Sequence, residues 1–555
     1  MRADLVVVGG GPRALQALLA LDDALAAAEE RGQGLGRELV VDLFEPGRPG
    51  AGAVWCPDQL PHLLMNLDPS SVDFRSRSGT VSHDYRAWER CVRYVPLRYP
   101  PRARMGLYLV WVFGCVERSP RLRIRHRREA VTGLVRGREG WDVLTEGGAA
   151  RTVAPRVVLA TGHAGGGAVD HTELAADVAR RGPGAHVAVR GAALTGIDTV
   201  LTLTAARGSR WFADGSPEPE QAPVPIGSGL TWVPSGQEPD RITLVSRSGE
   251  LLMPKPDVLD PAVVEAVRSV TSRWRPGAVP DDGWWDVLVD AAAAAAHASG
   301  RRFVRDSAHV VLARGRDEEP WQERWLRDLD RAEGNHPCAS STTSFDEAAW
   351  WLGRAWAAGY AHVVASLDRS VRPEHEWRRW RERAARLERW AFGPPAETVR
   401  KLLALGEAGM LDVARSVPAE ATVEVDAITR GPGVLDDHLG ADGAEPRAHD
   451  SLWATLLDLG QVQVRPGERG VLTTASGQCI SPEGRGTPGL SVLGRPTEDP
   501  VIGHDTLLRL HADVERWAER IAAEMVAGRA VMPRQRGAKL RTAAAGAATA
   551  AVGEA

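Results

Sequence analysis

The sequence predicts an α/β protein with two Rossmann-like domains and a helical, Trp-rich insertion. Three observations support this prediction: a strand, glycine turn and helix at the N-terminus, a similar unit that starts at residue 186, and a central region that holds 11 of the 19 tryptophans. With 555 residues, 43% of them hydrophobic, the chain is long enough to bury several cores.

The N-terminal unit has the order of a dinucleotide-binding βαβ motif. Residues 4–8 form the predicted strand, Gly9-Gly10-Gly11-Pro12-Arg13-Ala14 the turn, and a helix continues to about residue 28. A second strand, residues 38–44, ends in Glu45. In this motif Gly9 permits the tight turn, Gly11 lets the backbone approach a pyrophosphate, and Ala14 allows close helix packing, while Glu45 accepts hydrogen bonds from a ribose. The alternative is a glycine turn in an ordinary parallel sheet.

Another apolar strand, residues 157–159, leads into Ala160-Thr161-Gly162-His163. In proteins that bind two dinucleotides such a strand returns the chain to the first domain. The small residues Thr161 and Gly162 then tolerate a cofactor at close range.

The second unit departs from the motif at one position. After the strand 186–190, the turn Gly191-Ala192-Ala193-Leu194-Thr195-Gly196 has Ala193 where the middle glycine is expected, and its methyl group hinders a pyrophosphate. The partner strand, residues 241–245, ends in Ser246-Arg247 and lacks the acid that binds the ribose of NAD. Serine and arginine favour the 2′-phosphate of NADP. The alternative is a solvated turn in a vestigial second fold.

Composition and charge exclude several classes of function. The net charge of −4 argues against a nucleic-acid or membrane-surface binder. The five cysteines form no CxxC pair, and the histidines form no cluster with metal-ligand spacing, so we expect neither a dithiol nor a metal site. No signal peptide or membrane-spanning run is visible, which predicts a cytoplasmic protein, and a homo-oligomer stays open. The tryptophans of the central region are expected to pack helices together.

In the order of its motifs along the sequence, the chain resembles bacterial FAD/NAD(P)-binding flavoproteins. Within that group it resembles the flavin-dependent L-aspartate N-monooxygenases that form nitrosuccinate. The segments that carry the resemblance are Gly9 to Ala14, Leu63-Leu64-Met65-Asn66, Tyr99-Pro100-Pro101-Arg102 with Gly106 and Tyr108, Ala160 to His163, Leu194-Thr195-Gly196-Ile197-Asp198, Pro234 to Pro239, Gly494-Arg495-Pro496-Thr497-Glu498, and Gly503-His504-Asp505-Thr506. None of these segments lies in the central region, which leaves the substrate open.

The resemblance implies FAD and NADPH as cofactors, and O2 and a small amino acid as co-reactants. NADPH reduces FAD, the reduced flavin activates O2, and an amine takes up the oxygen, with L-aspartate as the predicted substrate. The predicted units are an FAD-binding domain (1–165 plus 425–535), an NADP-binding domain (185–256), a helical substrate region (257–415) and a disordered tail (536–555). Another flavin oxidoreductase, of the S-oxygenase or Baeyer–Villiger type, and a non-catalytic dinucleotide-sensing module stay open as alternatives.

Several residues near the flavin are candidates on the same basis. Asn66, after Met65, is the catalytic candidate, since its amide can bond the flavin edge or the nicotinamide; a turn or cap role is the alternative. Trp55 is a candidate cover for the isoalloxazine or a packing residue, and Arg102 a ligand of phosphate or flavin oxygens or a surface arginine. Val131 is a backbone partner of adenine.

The remaining candidates lie further along the chain. Gly494, Arg495 and Thr497 resemble the segment that closes over the flavin and its phosphates, and Lys255 is a weaker phosphate candidate. A dicarboxylate substrate needs cationic anchors. Arg301, Arg302 and Arg305, or the polar loop 335–343, are the candidates, and the sequence does not choose between them.

Overall fold

The part of the chain that the computed structural model describes contains fifteen strands and thirteen helices. That part is residues 2–148, 152–162, 170–171, 173–174, 184–213, 229–334, 343–429, 431–436, 447–504, 506–508 and 510–527. The predicted tail 536–555 and loop 335–342 lie outside it.

The strands are β1 (Leu5–Val8), β2 (Leu39–Phe44), β3 (Leu122–Arg127), β4 (Val131–Arg136), β5 (Trp141–Thr145), β6 (Thr152–Ala154), β7 (Val157–Leu159), β8 (His186–Arg190), β9 (Arg210–Ala213), β10 (Leu230–Val233), β11 (Arg241–Val245), β12 (Leu411–Ala414), β13 (Val423–Asp426), β14 (Gln478–Ile480) and β15 (Gly486–Val492). The helices are α1 (Pro12–Glu30), α2 (Tyr85–Cys91), α3 (Arg102–Val116), α4 (Leu194–Thr204), α5 (Pro261–Thr271), α6 (Asp282–Ala298), α7 (Arg305–Arg314), α8 (Trp321–Ala332), α9 (Ser344–Leu367), α10 (Glu374–Ala391), α11 (Ala396–Glu407), α12 (Ser451–Asp458) and α13 (Asp513–Val526). None of these helices is long and apolar enough to cross a lipid bilayer.

The N-terminal unit is built on a six-stranded sheet in the order β14-β15-β7-β1-β2-β3. All neighbours are parallel except β14 and β15. Every residue of β1 is buried, as expected for a central parallel strand that is covered on both faces. Helices α1 and α13 pack against each other beside this sheet. The antiparallel strands β4, β5 and β6 form a separate three-stranded sheet between β3 and β7 in sequence.

A second parallel sheet has the order β12-β11-β8-β13. This differs from the predicted domain 185–256, because β12 and β13 lie beyond residue 256. Helices α8 and α11 also share the hydrophobic core of this sheet, although the sequence placed both in the helical region. Their apolar faces supply the cover that a parallel sheet requires.

The α/β class with parallel sheets confirms the predicted fold class. The helical region is centred on α9, which packs against α5, α6, α7 and α10. Its core contains buried tryptophans, among them the stacked pair Trp274 and Trp284 with ring centroids 4.4 Å apart, and the stacked pair Trp377 and Trp380 at 4.6 Å. Their burial confirms the predicted packing role.

Candidate dinucleotide-binding site

The glycine turn after β1 brings the backbone close to its neighbours on one side and leaves it open on the other. Gly9 has φ +93°, and a Cβ at this position would lie 2.4 Å from the carbonyl oxygen of Ala160. Gly11 has an ordinary φ of −78°, and its nearest atom for an added Cβ is the Cα of Gly52 at 3.7 Å. Gly9 is therefore required by the fold, whereas Gly11 leaves space beside the turn.

Helix α1 begins directly at this turn. Gly11 is the N-cap and offers no side-chain hydrogen bond to the first turn, and Pro12 takes the first helical position. The leading N–H groups of a helix that lacks a side-chain cap, together with its dipole, are a suitable anion site. Ala14 is buried in the helix and permits close packing.

The open side of the turn faces a cavity of about 550 Å³ at the carboxyl ends of β1, β2 and β7. Ligands of parallel α/β sheets bind at this end. Ten of the predicted cofactor residues line the cavity: Gly9, Gly11, Pro12, Arg13, Glu45, Trp55, Val131, Thr161, Gly162 and Arg495.

The wall of the cavity has hydrogen-bonding capacity that the protein does not use. The hydroxyl of Thr161 is buried and has no hydrogen-bond partner within the described residues. Next to it, Gly162 has φ +66° and no atom within 4 Å of an added Cβ. An unpaired buried polar group requires explanation, and a bound polar ligand supplies one. The residues present therefore fit a dinucleotide.

Glu45 lies at the end of β2 and is oriented by the turn itself. Its carboxylate accepts a hydrogen bond of 2.7 Å from the N–H of Gly10 and one of 2.9 Å from the N–H of Gly47. Each carboxylate oxygen has more than one acceptor position, so these bonds leave room for ribose hydroxyls.

The segment after β15 packs against α1. Gly494 has φ +85°, and an added Cβ there would lie 2.8 Å from Cγ of Arg13. The hydroxyl of Thr497 donates to the carbonyl of Gly494 at 2.9 Å. Of the three predicted residues here Arg495 lines the cavity, while Gly494 and Thr497 shape the segment behind it.

Sequence reasoning missed several lining residues, among them Gln16, Glu129, Asp450 and His504. Gln16 and Asp450 carry no motif signal; Asp450 caps α12 by accepting from the N–H of Trp453. His504 did lie in a matched segment. Its Nε2 is 3.3 Å from the carboxylate of Asp513, and burial lowers the pKa of the imidazole although Asp513 opposes the shift.

Asn66 and Met65 lie away from the wall of this cavity. Met65 is fully buried in the core beneath the sheet, and Asn66 donates from Nδ2 to the carbonyl of Phe392 at 2.9 Å. The ammonium of Lys255 donates to the Asn66 side-chain oxygen at 2.7 Å and also to its backbone carbonyl. Asn66 thus joins the N-terminal unit to the helical region. Lys255, the weaker phosphate candidate, holds Asn66.

Arg102 differs from its predicted role at phosphate or flavin oxygens. Its Nη2 lies 2.5 Å from the carboxylate of Asp198 in α4, and its Nε donates to the carbonyl of Leu64 at 3.1 Å. This ion pair connects α3 of the first unit to α4 of the second. Burial raises the pKa of Asp198, although Arg102 acts in the opposite direction.

The turn of the second unit has the close contacts of a βαβ motif. Gly191 has φ +106°, and a Cβ on Gly196 would lie 1.8 Å from the carbonyl oxygen of Gly191. Ala193 is exposed and is the N-cap of α4, without a side-chain hydrogen bond. The hydroxyl of Thr195 lies 3.0 Å from that of Thr429, which follows β13.

The predicted phosphate ligands after β11 face different environments. Ser246 is buried, and its hydroxyl donates to the carbonyl of Glu250 at 2.9 Å, whereas Arg247 is exposed. Ser246 therefore shapes the turn, and Arg247 is the group accessible to a ligand.

Of the three arginines predicted as substrate anchors, Arg301 and Arg302 lie between α6 and α7, and Arg305 is the first residue of α7. Arg302 and Arg305 are exposed, Arg305 pairs with Asp290, and none of the three lines the cavity beside Gly11. His163 and Asp505, two residues of the matched segments, lie outside the described residues.

A family model described as FAD-NAD(P)-binding matches residues 6–164. The match confirms the predicted cofactor class, and it covers the glycine turn, Glu45, Trp55, Val131 and Thr161.

Two curated relatives extend the comparison to more of the chain. An L-aspartate N-monooxygenase (nitrosuccinate-forming) of Streptomyces cremeus is 27% identical over 615 aligned positions, which cover 89% of this chain and 87% of the relative. A nitrosuccinic acid synthase of Aspergillus oryzae is 30% identical over 279 residues, or 44% of this chain. The aligned part spans 40% of that synthase. Among solved structures, the reduced form of an ornithine hydroxylase from Pseudomonas aeruginosa is 14% identical and covers 95% of this chain and 99% of its own, with a TM-score of 0.45.

Proposed function

We propose that this protein is an NADPH- and O2-dependent flavin monooxygenase that oxidises the amino group of L-aspartate to nitrosuccinate. The observation that carries the proposal is the open cradle beside Gly11, which faces the unpaired hydroxyl of Thr161. The similarity to the L-aspartate N-monooxygenase supports the choice of substrate.

In this proposal the residues of the first unit hold FAD. The N–H groups that begin α1, with Gly9, Gly11, Pro12 and Arg13, bind the diphosphate, and Ala14 keeps the helix close. Glu45 accepts from the ribose, and the backbone at Val131 contacts adenine. When bound, FAD supplies electron transfer from NADPH and activation of O2.

The other cavity residues orient and shield the reacting groups. Trp55 is half-buried at the wall and covers the ring, Thr161 and Gly162 contact it closely, and Arg495 closes the site. Excluding water favours transfer of oxygen to the amine over release of peroxide.

Asn66 is the proposed catalytic residue at the boundary with the helical region. Lys255 and the carbonyl of Phe392 fix the orientation of its side chain. In this proposal the second N–H of its amide donates to the edge of the flavin or of the nicotinamide. For the second cofactor, the turn of Gly191, Ala193, Thr195 and Gly196 faces the pyrophosphate of NADPH, and Arg247 the 2′-phosphate.

The test follows the flavin and the product separately. The purified protein is loaded with FAD and mixed anaerobically with NADPH, and we expect the visible absorbance of the flavin to bleach. Air is then admitted with L-aspartate, L-asparagine or L-alanine, and nitrosuccinate and peroxide are quantified by mass and by assay. Peroxide without any oxidised amine would contradict the N-monooxygenase.

A non-catalytic dinucleotide sensor is the second candidate, because Ala193 replaces the middle glycine of the second turn. It predicts that FAD binds but that NADPH does not bleach it. The anaerobic step alone distinguishes the two functions. Oxidised sulfur or ketone products in the aerobic step would instead indicate an S-oxygenase or a Baeyer–Villiger enzyme.

A further inference from the structure

Arg354 is a buried arginine in the middle of α9. Only 2% of its surface is exposed, and its guanidinium carbon lies 4.4 Å from the centroid of the Trp350 ring. Nη2 donates to the carbonyl of Trp390 in α10. The neighbouring Gly353 allows this approach, because a Cβ there would lie 2.6 Å from the same carbonyl oxygen.

The other N–H groups of Arg354 have no hydrogen-bond acceptor among the described residues. Nε and Nη1 are buried and have no hydrogen-bond partner among the residues that the structure describes. Arg316, also beside α9 and with only 2% of its side chain exposed, shows the usual arrangement, with the carboxylates of Asp328 at 2.7 Å and Asp346 at 3.0 Å. A buried ion costs several kcal/mol unless it is paired. Arg354 is thus incomplete without an anion.

No described carboxylate nearby is available to pair with it. Asp328, the acid whose charge acts on the pKa of Arg354, already binds Arg316 and Arg331. Burial lowers the pKa of Arg354 to about 9, so the side chain stays cationic at neutral pH.

Arg354 lines a cavity of about 690 Å³ between α8, α9 and the segment before α5. The volume is ample for an amino acid. The acids in its wall are engaged: Asp257 accepts from the hydroxyl of Tyr99 at 3.0 Å, and Glu333 pairs with Arg400 at 2.6 Å. The third, Asp260, caps α5.

The same cavity approaches the proposed catalytic asparagine. Pro256 and Asp257 in its wall directly follow Lys255, which holds Asn66. Burial and the charge of Arg354 lower the pKa of Lys255 to about 7, so the two cations lie close enough to repel. An anion bound by Arg354 would relieve this repulsion.

We propose that Arg354 determines substrate specificity by binding the side-chain carboxylate of an anionic amino acid through Nε and Nη1. This inference rests on the proposed function and names its substrate class, amino acids with a carboxylate side chain. It replaces Arg301, Arg302 and Arg305 as anchor. An arginine suits this task because its N–H groups match both oxygens of a carboxylate.

The test measures binding without turnover. L-Aspartate, succinate and L-alanine are titrated calorimetrically into the FAD-loaded protein in the absence of NADPH, for wild type, Arg354→Met and the control Arg386→Met. Arg386 also donates to a backbone carbonyl, that of Leu312 at 3.0 Å, but is partly exposed. We expect Arg354→Met to weaken the binding of L-aspartate and of succinate at least about 30-fold, as for loss of one partner of a buried charge pair. The control should leave both affinities unchanged.

Thermal unfolding separates a ligand-binding role of Arg354 from a purely structural one, because the two roles predict opposite changes in the unfolding midpoint of the variant. Removing an unpaired buried charge is expected to leave the midpoint of the ligand-free Arg354→Met protein equal to or above that of wild type. Should Arg354→Met fail to fold, Arg354→Lys keeps the charge without the forked geometry and is expected to bind L-aspartate about tenfold or more weakly.

Unchanged L-aspartate affinity in the Arg354 variants would overturn the inference, while nitrosuccinate formation by wild type would leave the proposed function intact. Conversely, Arg354-dependent binding of succinate in a protein that forms no nitrosuccinate would support the anion site and contradict the proposed function. A lowered unfolding midpoint with full L-aspartate binding would assign Arg354 a structural role only.

Discussion

Gly9 and Gly11 lie in the same turn but differ in what a side chain would meet. At Gly9 a side chain collides with the backbone of Ala160, whereas at Gly11 it enters the cavity with the protein backbone undisturbed. Substitution at Gly11 therefore separates cofactor binding from folding.

We predict that Gly11→Val lowers FAD affinity at least about 100-fold, because the side chain occupies the position of the diphosphate. The measurement is a fluorescence titration of the flavin-free protein with FAD. The flavin-free variant should keep the unfolding midpoint of wild type, since φ −78° suits any residue. Normal FAD uptake by Gly11→Val would contradict the proposed position of the diphosphate.

At the scale of elements, one ion pair connects the two parallel-sheet units. Arg102 begins α3, Asp198 lies in α4, and both are largely buried. Removing one partner leaves an uncompensated charge, whereas removing both leaves an apolar contact.

Arg102→Met is thus expected to reduce the free energy of unfolding by about 3–5 kcal/mol, and Arg102→Met with Asp198→Leu to recover most of it. Urea unfolding of the single and double variants, followed by tryptophan fluorescence, measures the difference. A loss in the double variant equal to the sum of the losses in Arg102→Met and in Asp198→Leu alone would mean that the pair is not coupled.

Substitution of glycine by alanine is expected to have opposite effects on stability in two helices, α9 and α3. An added Cβ on Gly353 in α9 lies 2.6 Å from the backbone of Trp390, so Gly353→Ala should destabilise by about 1–3 kcal/mol. In α3, an added Cβ on Gly114 meets only the flexible Arg118 at 3.6 Å, so Gly114→Ala should stabilise by up to about 1 kcal/mol. Thermal unfolding midpoints compare the two, and shifts of the same sign would refute the packing described for α9 and α10.

Two buried histidines contribute to the response of the whole molecule to acid. Burial, with nearby positive charges, lowers the pKa of His62 and of His511 to about 4. The unfolded chain takes up these protons near pH 6.5, so between pH 6.5 and 4 it binds more protons than the folded protein. Their contribution to stability is fully present above pH 6.5 and is lost as the pH falls toward 4.

We expect the free energy of unfolding, measured with urea, to fall between pH 7 and pH 4.5. The His62→Gln variant should reduce that fall by roughly 3 kcal/mol or less. His297 is exposed, so His297→Gln serves as the control and should leave the pH profile unchanged. An identical profile for His62→Gln and wild type would show that His62 is not buried in its neutral form.

The local sequence pattern was sufficient to predict the elements of the first unit. The apolar run of β1, the glycine turn and the acid after β2 each have a physical cause within about 40 residues of sequence, and the structure brings Gly11, Glu45 and Thr161 to one cavity. Local pattern says less about where a helix starts: α13 begins at Asp513 without a side-chain cap.

The sequence by itself determined the fold class, the cradle of the first unit and the burial of the tryptophans, because hydrophobic period and turn chemistry are properties of neighbouring residues. Only the tertiary structure decided that β12 and β13 complete the second sheet, that Arg102 pairs with Asp198, and that Arg354 is left unpaired. Strand order and charge pairing depend on which distant segments meet, and among 65 arginines the sequence does not distinguish a surface ion from a buried one.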